Sequence, residues 1–356
     1  MSREEELERI LLQHGIGGIL RDSRCAQNPF IGLFEYDGKM LCHLVTNGEV
    51  EFHLINDPRR NAVAVYSTNS VGVFVGMLDV IFKLSAKIVD GGLFPHVGNV
   101  ETTSWNPDIH NTFESRESLL KSIEQFAWSQ DRLPWIKSME RQALFMFIAN
   151  TLFRFIVFHE LGHIYNDHGR AKPKPDNFEL DEMSTDHGLG NISSQAKESI
   201  ADTFAFQLLV EYQRSHLEQQ KDHPIGALLK EKLFQTDHDL VRFISQLIYV
   251  YFYMMETPNW LDTEPGSWSH PPAPFRLQTI YAALLEHSIL SLTQKVIPDL
   301  LRQSIFLGSS TLAVIFNRYP DFNWLSILDQ KKYRDHYKNI YMEMDNWVSD
   351  EKRWNK

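Results

Sequence analysis

The stretch "FRFIVFHELGHIYNDHGR", Phe153 to Arg170, decides how this chain reads. It begins as an apolar run, offers His159, Glu160 and His163 in quick succession, and then turns polar. On a helix, residues four apart lie one turn above each other on one face. His159 and His163 therefore present two imidazoles side by side, a spacing that suits one tetrahedral metal ion. Glu160 sits about 100° around the helix from His159. It can reach a water in an open coordination position without being a ligand itself, which is the logic of the HExxH motif. The plainer alternative is a buried helix whose two histidines are satisfied by ordinary hydrogen bonds.

A metal held this way needs a third protein ligand. One known pattern places a third histidine ten residues after the first, but position 169 is glycine, and Asn166 stands where that pattern has its own glycine. His168 falls one position early and reads as a cap on the helix end. The segment "KESIADTFAFQLL" offers more. Glu198 and Asp202 are four apart, again on one helical face. Glu198 completes a His, His, Glu donor set, and Asp202 is placed to accept the free ring N–H of a ligand histidine. The small Ala201 beside them lets two helices come close. A solvated acidic stripe is the alternative, but Ile200, Phe204, Leu208 and Leu209 require this helix to pack against something. Asp186 or His187 in the preceding loop is the other choice of third ligand.

Composition narrows the class. The chain has 356 residues, enough for one large domain or two ordinary ones. A formal net charge of −11 repels phosphate backbones and argues against a nucleic-acid partner. The two cysteines, Cys25 and Cys42, form no CxxC, which excludes a cysteine-based zinc ribbon. They read as unpaired thiols of a reducing compartment, with one disulfide as the alternative. The N-terminus, "MSREEELERI", lacks the basic start and apolar core of a signal peptide. The runs "ALFMFIANTLFRFIVF" and "FISQLIYVYFYMM" fall short of the roughly 20 residues of a membrane span, and Arg154 interrupts the first. Both read as buried core helices of a soluble, cytoplasmic protein.

Residues 3–13 are expected to be helical. From Phe30 to Val75, "KMLCHLVT", "EVEFHLI", "NAVAVYS" and "VGVFVG" read as short strands, with Asn47-Gly48 as a hairpin turn. A small antiparallel sheet follows from that reading. Beyond Met77 the pattern is mostly helical. "LDVIFKLSAKIV" stops at Gly91-Gly92, and 93–113 reads as loop. Helices are expected over 116–130 and 135–168, from about 193, over 236–255, and after Phe275 with a break near Tyr319-Pro320. Residues 169–192, rich in Pro, Gly, Asp and Ser, form a long excursion or lid. The chain has no internal repeat.

HELGH followed by E-x-x-A-D resembles the gluzincin peptidases, in particular the group containing the CAAX prenyl-protein endopeptidases and the heat-shock membrane zinc proteases. Upstream, "NAVAVYSTNSVGVFVGMLDVIFKL" from Asn61 follows the group's strand, strand, helix arrangement. Downstream, "HPPAPFR" supplies its H-P-P-x-x-x-R at His270 to Arg276. The chain departs from that group in lacking its membrane spans and in its first 55 and last 70 or so residues. In size, soluble character and motif position it is also similar to the phage-exclusion peptidase family, whose known member cleaves a translation factor.

The resemblance implies an α+β, predominantly helical fold. It has a zincin-like metallopeptidase core, a small N-terminal antiparallel sheet and a long buried active-site helix. The expected organisation is an N-terminal extension with hairpin strands over 1–58, the metallopeptidase core over 59–290 and a C-terminal helical extension over 291–356. One Zn2+ is expected on His159, His163 and Glu198, with Glu160 as general base and Asp202 orienting a ligand histidine. Arg276 ties its loop to an acidic group, Asp202 being the candidate. His270 either stabilises a developing oxyanion or simply decorates a rigid proline loop. Ala62, Val63 and Ala64 either pair with an extended substrate or form an ordinary core strand. The function expected is a soluble zinc endopeptidase. A catalytically silent sensor or binding module and a zinc hydrolase of a non-peptide bond are the competing readings. The expected partner is a protein or peptide substrate, with no nucleic acid and no membrane span; no residue pattern sets an oligomeric state.

Overall fold

The structure is a computed structural model that describes residues 1–21, 29–99, 133–171, 178–179, 191–256, 260–268, 270–286, 295–316 and 326–348. Cys25, the helix expected over 116–130, Asp186, His187, most of the 169–192 excursion and the Tyr319-Pro320 break lie outside the described residues.

One helix organises the rest. Helix α4, Met139–Tyr165, starts on Ser138, whose hydroxyl accepts from the Arg141 N–H. It carries apolar residues on every side, so it has no face to give to water and must be enclosed. From Thr151 to Ile164 every residue is buried. Among the described residues it is the one helix long and apolar enough to cross a membrane, and here it is wrapped by protein instead. Its 27 residues lie inside the 135–168 span expected to be helical, shorter at both ends, and Arg154 sits within the helix without breaking it. That guanidinium is neutralised internally. It grips both carboxylate oxygens of Asp37 at 2.8 and 3.1 Å and donates to Gln213 Oε1 at 3.0 Å.

Helix α1, Arg3–Gln13, opens with a capping box between Ser2 and Glu5. The strand expected at "KMLCHLVT" is instead part of helix α2, Pro29–Thr46. The buried residues Ile31, Phe34, Leu41 and Cys42 recur at helical spacing, and this period overrides the β-branched local composition. Asn47-Gly48 is therefore no hairpin. Both residues have positive φ, 53° and 81°, and the Gly48 N–H closes the helix on His43 O. A helix end and a tight hairpin ask for the same left-handed backbone, which is why the dipeptide misleads.

The sheet is mixed rather than antiparallel. Its strands are β1 Glu51–Ile55, β2 Ala62–Val65, β3 Ser70–Phe74 and the two-residue β4 Phe178–Glu179, in the order β1-β3-β2-β4. The true hairpin joins β2 to β3 through Tyr66–Thr68 and Asn69, at φ 47°. Strand β3 slots between β2 and β1 and runs parallel to β1. Side chains alternate between faces. Phe52, Leu54, Ala62, Ala64, Val71 and Val73 join the main core, while Ile55, Val63 and Val65 pack on Leu7, Leu11 and Ile16 of the α1 region. Both faces are covered, so the strands read as continuous apolar runs. Strand β1 lies before residue 58 and pairs along its length with β3 beyond it, so the 1–58 segment and the 59–290 segment share one sheet.

Helix α3, Val75–Asp90, ends at Gly91 as its sequence suggests. Its last carbonyls and the turn after it are held by Arg141, a buried guanidinium at the start of α4. Arg141 donates to Leu93 O at 2.9 Å, Phe94 O at 3.0 Å and Val97 O at 3.3 Å, and also to Val89 O. Arg141→Met should therefore strand several buried acceptors and cost about 2–3 kcal/mol, read as a lower denaturant midpoint with an unchanged slope.

The remaining helices are α5 Asn191–Gln219, α6 Pro224–Lys232, α7 Asp237–Met254, α8 Ala273–Glu286, α9 Ile297–Phe316 and α10 Lys331–Met344. They make ten helices among the described residues, so the fold is α+β and predominantly helical. Helix α5 packs along α4, α9 lies on α7, and α10 lies on α5. Under α10 a separate aromatic cluster forms around Trp260, Trp268, Phe275 and Tyr333. Cys42 is a buried free thiol.

Candidate metal centre

Helices α4 and α5 come into tight contact where α4 carries Gly162. A Cβ built there would stand 3.1 Å from Ala201 Cα and 3.1 Å from a ring carbon of Phe204. Two small residues face each other, and that draws the backbones together until the side chains one turn away meet. Gly162→Val should overpack this contact, costing about 1–3 kcal/mol and weakening metal binding together. A titration with zinc and a melting curve on the same preparation would check both.

The side chains that meet are His159 and His163 from α4 and Glu198 from α5, all buried. His159 Nε2 and His163 Nε2 are 3.2 Å apart. Glu198 reaches them at 3.3 Å and 3.1 Å through its two carboxylate oxygens. A tetrahedral ion with bonds of 2.0–2.1 Å has edges of about 3.4 Å, so these separations suit a single ion between the three groups. The donors fit a metal chemically as well as in spacing. Two imidazole nitrogens and one carboxylate are a borderline set that leaves a coordination position open.

Asp202 stands one turn further along α5, fully buried. Its Oδ1 is 3.0 Å from His159 Nδ1. Arg276, from α8, clamps both oxygens of Asp202 at 2.7 Å and stacks its guanidinium 4.5 Å over the Phe252 ring. The expected tie between Arg276 and Asp202 is thus present, made from a helix and not from a loop.

The electrostatics follow from this burial. Burial raises Glu198 and Asp202, but neighbouring positive charge outweighs it. His163 and His159 hold Glu198 well below the usual carboxylate range, and Arg276 with His159 holds Asp202 low. Burial acts to lower His159, yet Asp202 and Glu198 together raise it to about 9. The two carboxylates that favour positive charge on His159 also favour a cation at the same place. Arg276 is raised by the same acidic neighbours despite its burial.

A cavity of about 40 Å³ opens beside the donors. Glu160, His270, Ala62 and Arg276 line it together with His159 and Glu198. Val63 packs into the core under α1, and neither it nor Ala64 is among the residues that line the cavity. Strand β2 does border it, but β4 pairs with Ala64 and Val65 on the edge away from β3.

Asn61 and Met77, which bracket the upstream strand, strand, helix segment, also line the cavity, and Tyr251 donates to Met77 Sδ at 3.8 Å. Phe155, Ile156 and Tyr251 line it too, and no pattern in the sequence singles them out. In an apolar run such as "LIYVYFYMM" nothing marks one tyrosine over another. His168 does not cap α4. Asn166 does, donating its side-chain amide to Gly162 O at 2.8 Å. His168 instead turns inward, its Nδ1 3.0 Å from His163 Nδ1. Burial, with the charges of His163 and Lys197 beside it, keeps its pKa well below the ordinary value.

Compared with protein-family models, with curated proteins and with solved structures, the chain matches none.

Proposed function

We propose that the chain is a zinc-dependent endopeptidase that hydrolyses a protein or peptide substrate at the His159, His163 and Glu198 centre. The observation that carries this reading is Glu160. It is 3% exposed, lines the same small cavity as the metal donors and occupies none of the three donor positions. A purely structural metal site has no use for such a group. The order of the HELGH, ESIAD and HPPAPFR motifs, which resembles that of the gluzincin peptidases, supports the same reading.

When bound, zinc supplies the Lewis acidity that makes a water acidic near neutral pH and polarises a carbonyl. Glu160 takes the proton of the attacking water and delivers it to the departing amine nitrogen. His270, at the cavity wall beside Glu198, donates to the carbonyl oxygen as negative charge gathers there. Asp202, clamped by Arg276, holds the His159 ring in one orientation. The cavity itself admits no long side chain. A peptide has to run in extended form along β2, past Ala62 and Val63, next to the two positions that β4 covers.

The test compares protein termini in cells expressing the wild type and Glu160→Gln, alongside elemental analysis of both purified proteins. One zinc per chain in each, with new termini only in the wild-type cells, is the expected result. Full zinc occupancy and no new termini with the wild type would favour a binding module instead.

A further inference from the structure

Each ligand histidine uses Nε2 toward the metal position, so each needs its Nδ1–H fixed by an acceptor. His159 has Asp202 for this. His163 has a different partner. After α4 ends, the chain turns at Asp167, whose φ of 55° reverses its direction, and enters the short turn His168–Ala171. That reversal brings the fully buried His168 ring back to His163, with the two Nδ1 atoms 3.0 Å apart. Only one of two facing nitrogens can carry the proton. With His163 Nε2 committed to the ion, His163 Nδ1 must donate and His168 Nδ1 must accept.

His168 is in turn anchored from the far end of the chain. Lys197, the neighbour of Glu198 on α5, donates to His168 O at 2.7 Å. Its ammonium lies 4.2 Å over the ring of Trp347, just past α10. The Trp347 indole donates to Glu343 at 2.9 Å, and Ser193 at the start of α5 donates to the same carboxylate oxygen at 2.6 Å.

We propose that His168 is a positioning residue for the metal centre, fixing the His163 ring through Nδ1, and that Trp347 and Lys197 make the C-terminal helix part of its support. The inference rests on the metal reading of the site but not on proteolysis. It separates the two ligand histidines: one is oriented by a carboxylate tied to α8, the other by a neutral ring tied to α10.

Affinity for Zn2+ and Co2+ by chelator competition on the full chain, with the visible spectrum of the Co2+ form, tests it. His168→Ala should bind about 10–100-fold more weakly than wild type, as loss of an orienting partner typically does. His168→Asn places an amide oxygen near the lost Nδ1 and should recover to within about threefold, whereas His168→Gln, with its amide near Nε2, should not. Trp347→Ala should weaken binding by less than His168→Ala and shift the Co2+ bands the same way. Should the alanine variant fail to fold, the contrast between Asn and Gln decides. Equal affinity of the Asn and Gln variants overturns the role of Nδ1, and a Trp347→Ala protein indistinguishable from wild type overturns the C-terminal support. A wild type that binds neither ion removes the centre itself, and this inference with it.

Discussion

Glu160→Gln should keep its metal and lose its proteolysis. The substitution preserves shape and removes only the ability to take a proton. Glu160 is not among the three groups whose atoms converge on the metal position, so zinc content and chelator resistance should match the wild type. The rate should not. Positioned acid–base catalysis contributes about 10²–10⁴-fold, equivalent to about 3–5 kcal/mol of barrier. In the proposed mechanism both proton transfers run through this one carboxylate, which puts the loss at the upper end. In purified protein, kcat on any identified substrate should collapse while KM changes little. A Glu160→Gln enzyme that cleaves at the wild-type rate would end the general-base assignment outright.

The largest loss of stability should come from Asp202→Asn. Asp202 is fully buried, and Arg276 is clamped to it through two hydrogen bonds of 2.7 Å. Removing one partner of a buried ion pair leaves the other charge in a poorly solvating interior, which costs about 3–5 kcal/mol. The measurement is chemical denaturation of the chelator-treated protein, so that lost metal binding does not enter. The same variant should also bind zinc about 10–100-fold more weakly, because His159 loses the carboxylate opposite Nδ1. The double variant Asp202→Asn/Arg276→Met separates the effects. With no stranded cation, it should regain much of the stability and none of the affinity. If both return together, Asp202 acts on the metal only through the packing of α5.

The parts of the site that sequence reading reaches are those encoded by spacing within one helix. His159 and His163, and Glu198 and Asp202, are four apart, and a helix converts that number into a shared face. Gly162 and Ala201 are small where two such faces must meet. His168 escapes that logic because its position depends on a backbone reversal at Asp167, which no periodicity announces. Tyr251 and Met77 reach the cavity through tertiary packing alone. The error in the N-terminal region has the same character. Asn47-Gly48 signals two left-handed residues, but whether a strand or a helix precedes them is settled by Phe34 and Leu41 packing against the core. The parallel pairing of β1 with β3 depends on β3 inserting between β1 and β2, a choice made by topology and not by any local residue.

The enclosure of α4 has a consequence for how this protein tolerates change. A helix with a wet side accepts replacement at every third or fourth position. From Thr151 to Ile164 no residue is exposed, so a saturation mutagenesis profile across this segment should lack the usual helical rhythm. It should appear as one uninterrupted block of intolerance, fourteen residues long, in which the four motif positions His159, Glu160, Gly162 and His163 cannot be told from their apolar neighbours by stability alone. Only a screen that selects on metal or on cleavage, with folding held constant, would make those positions stand out from the shaft that carries them.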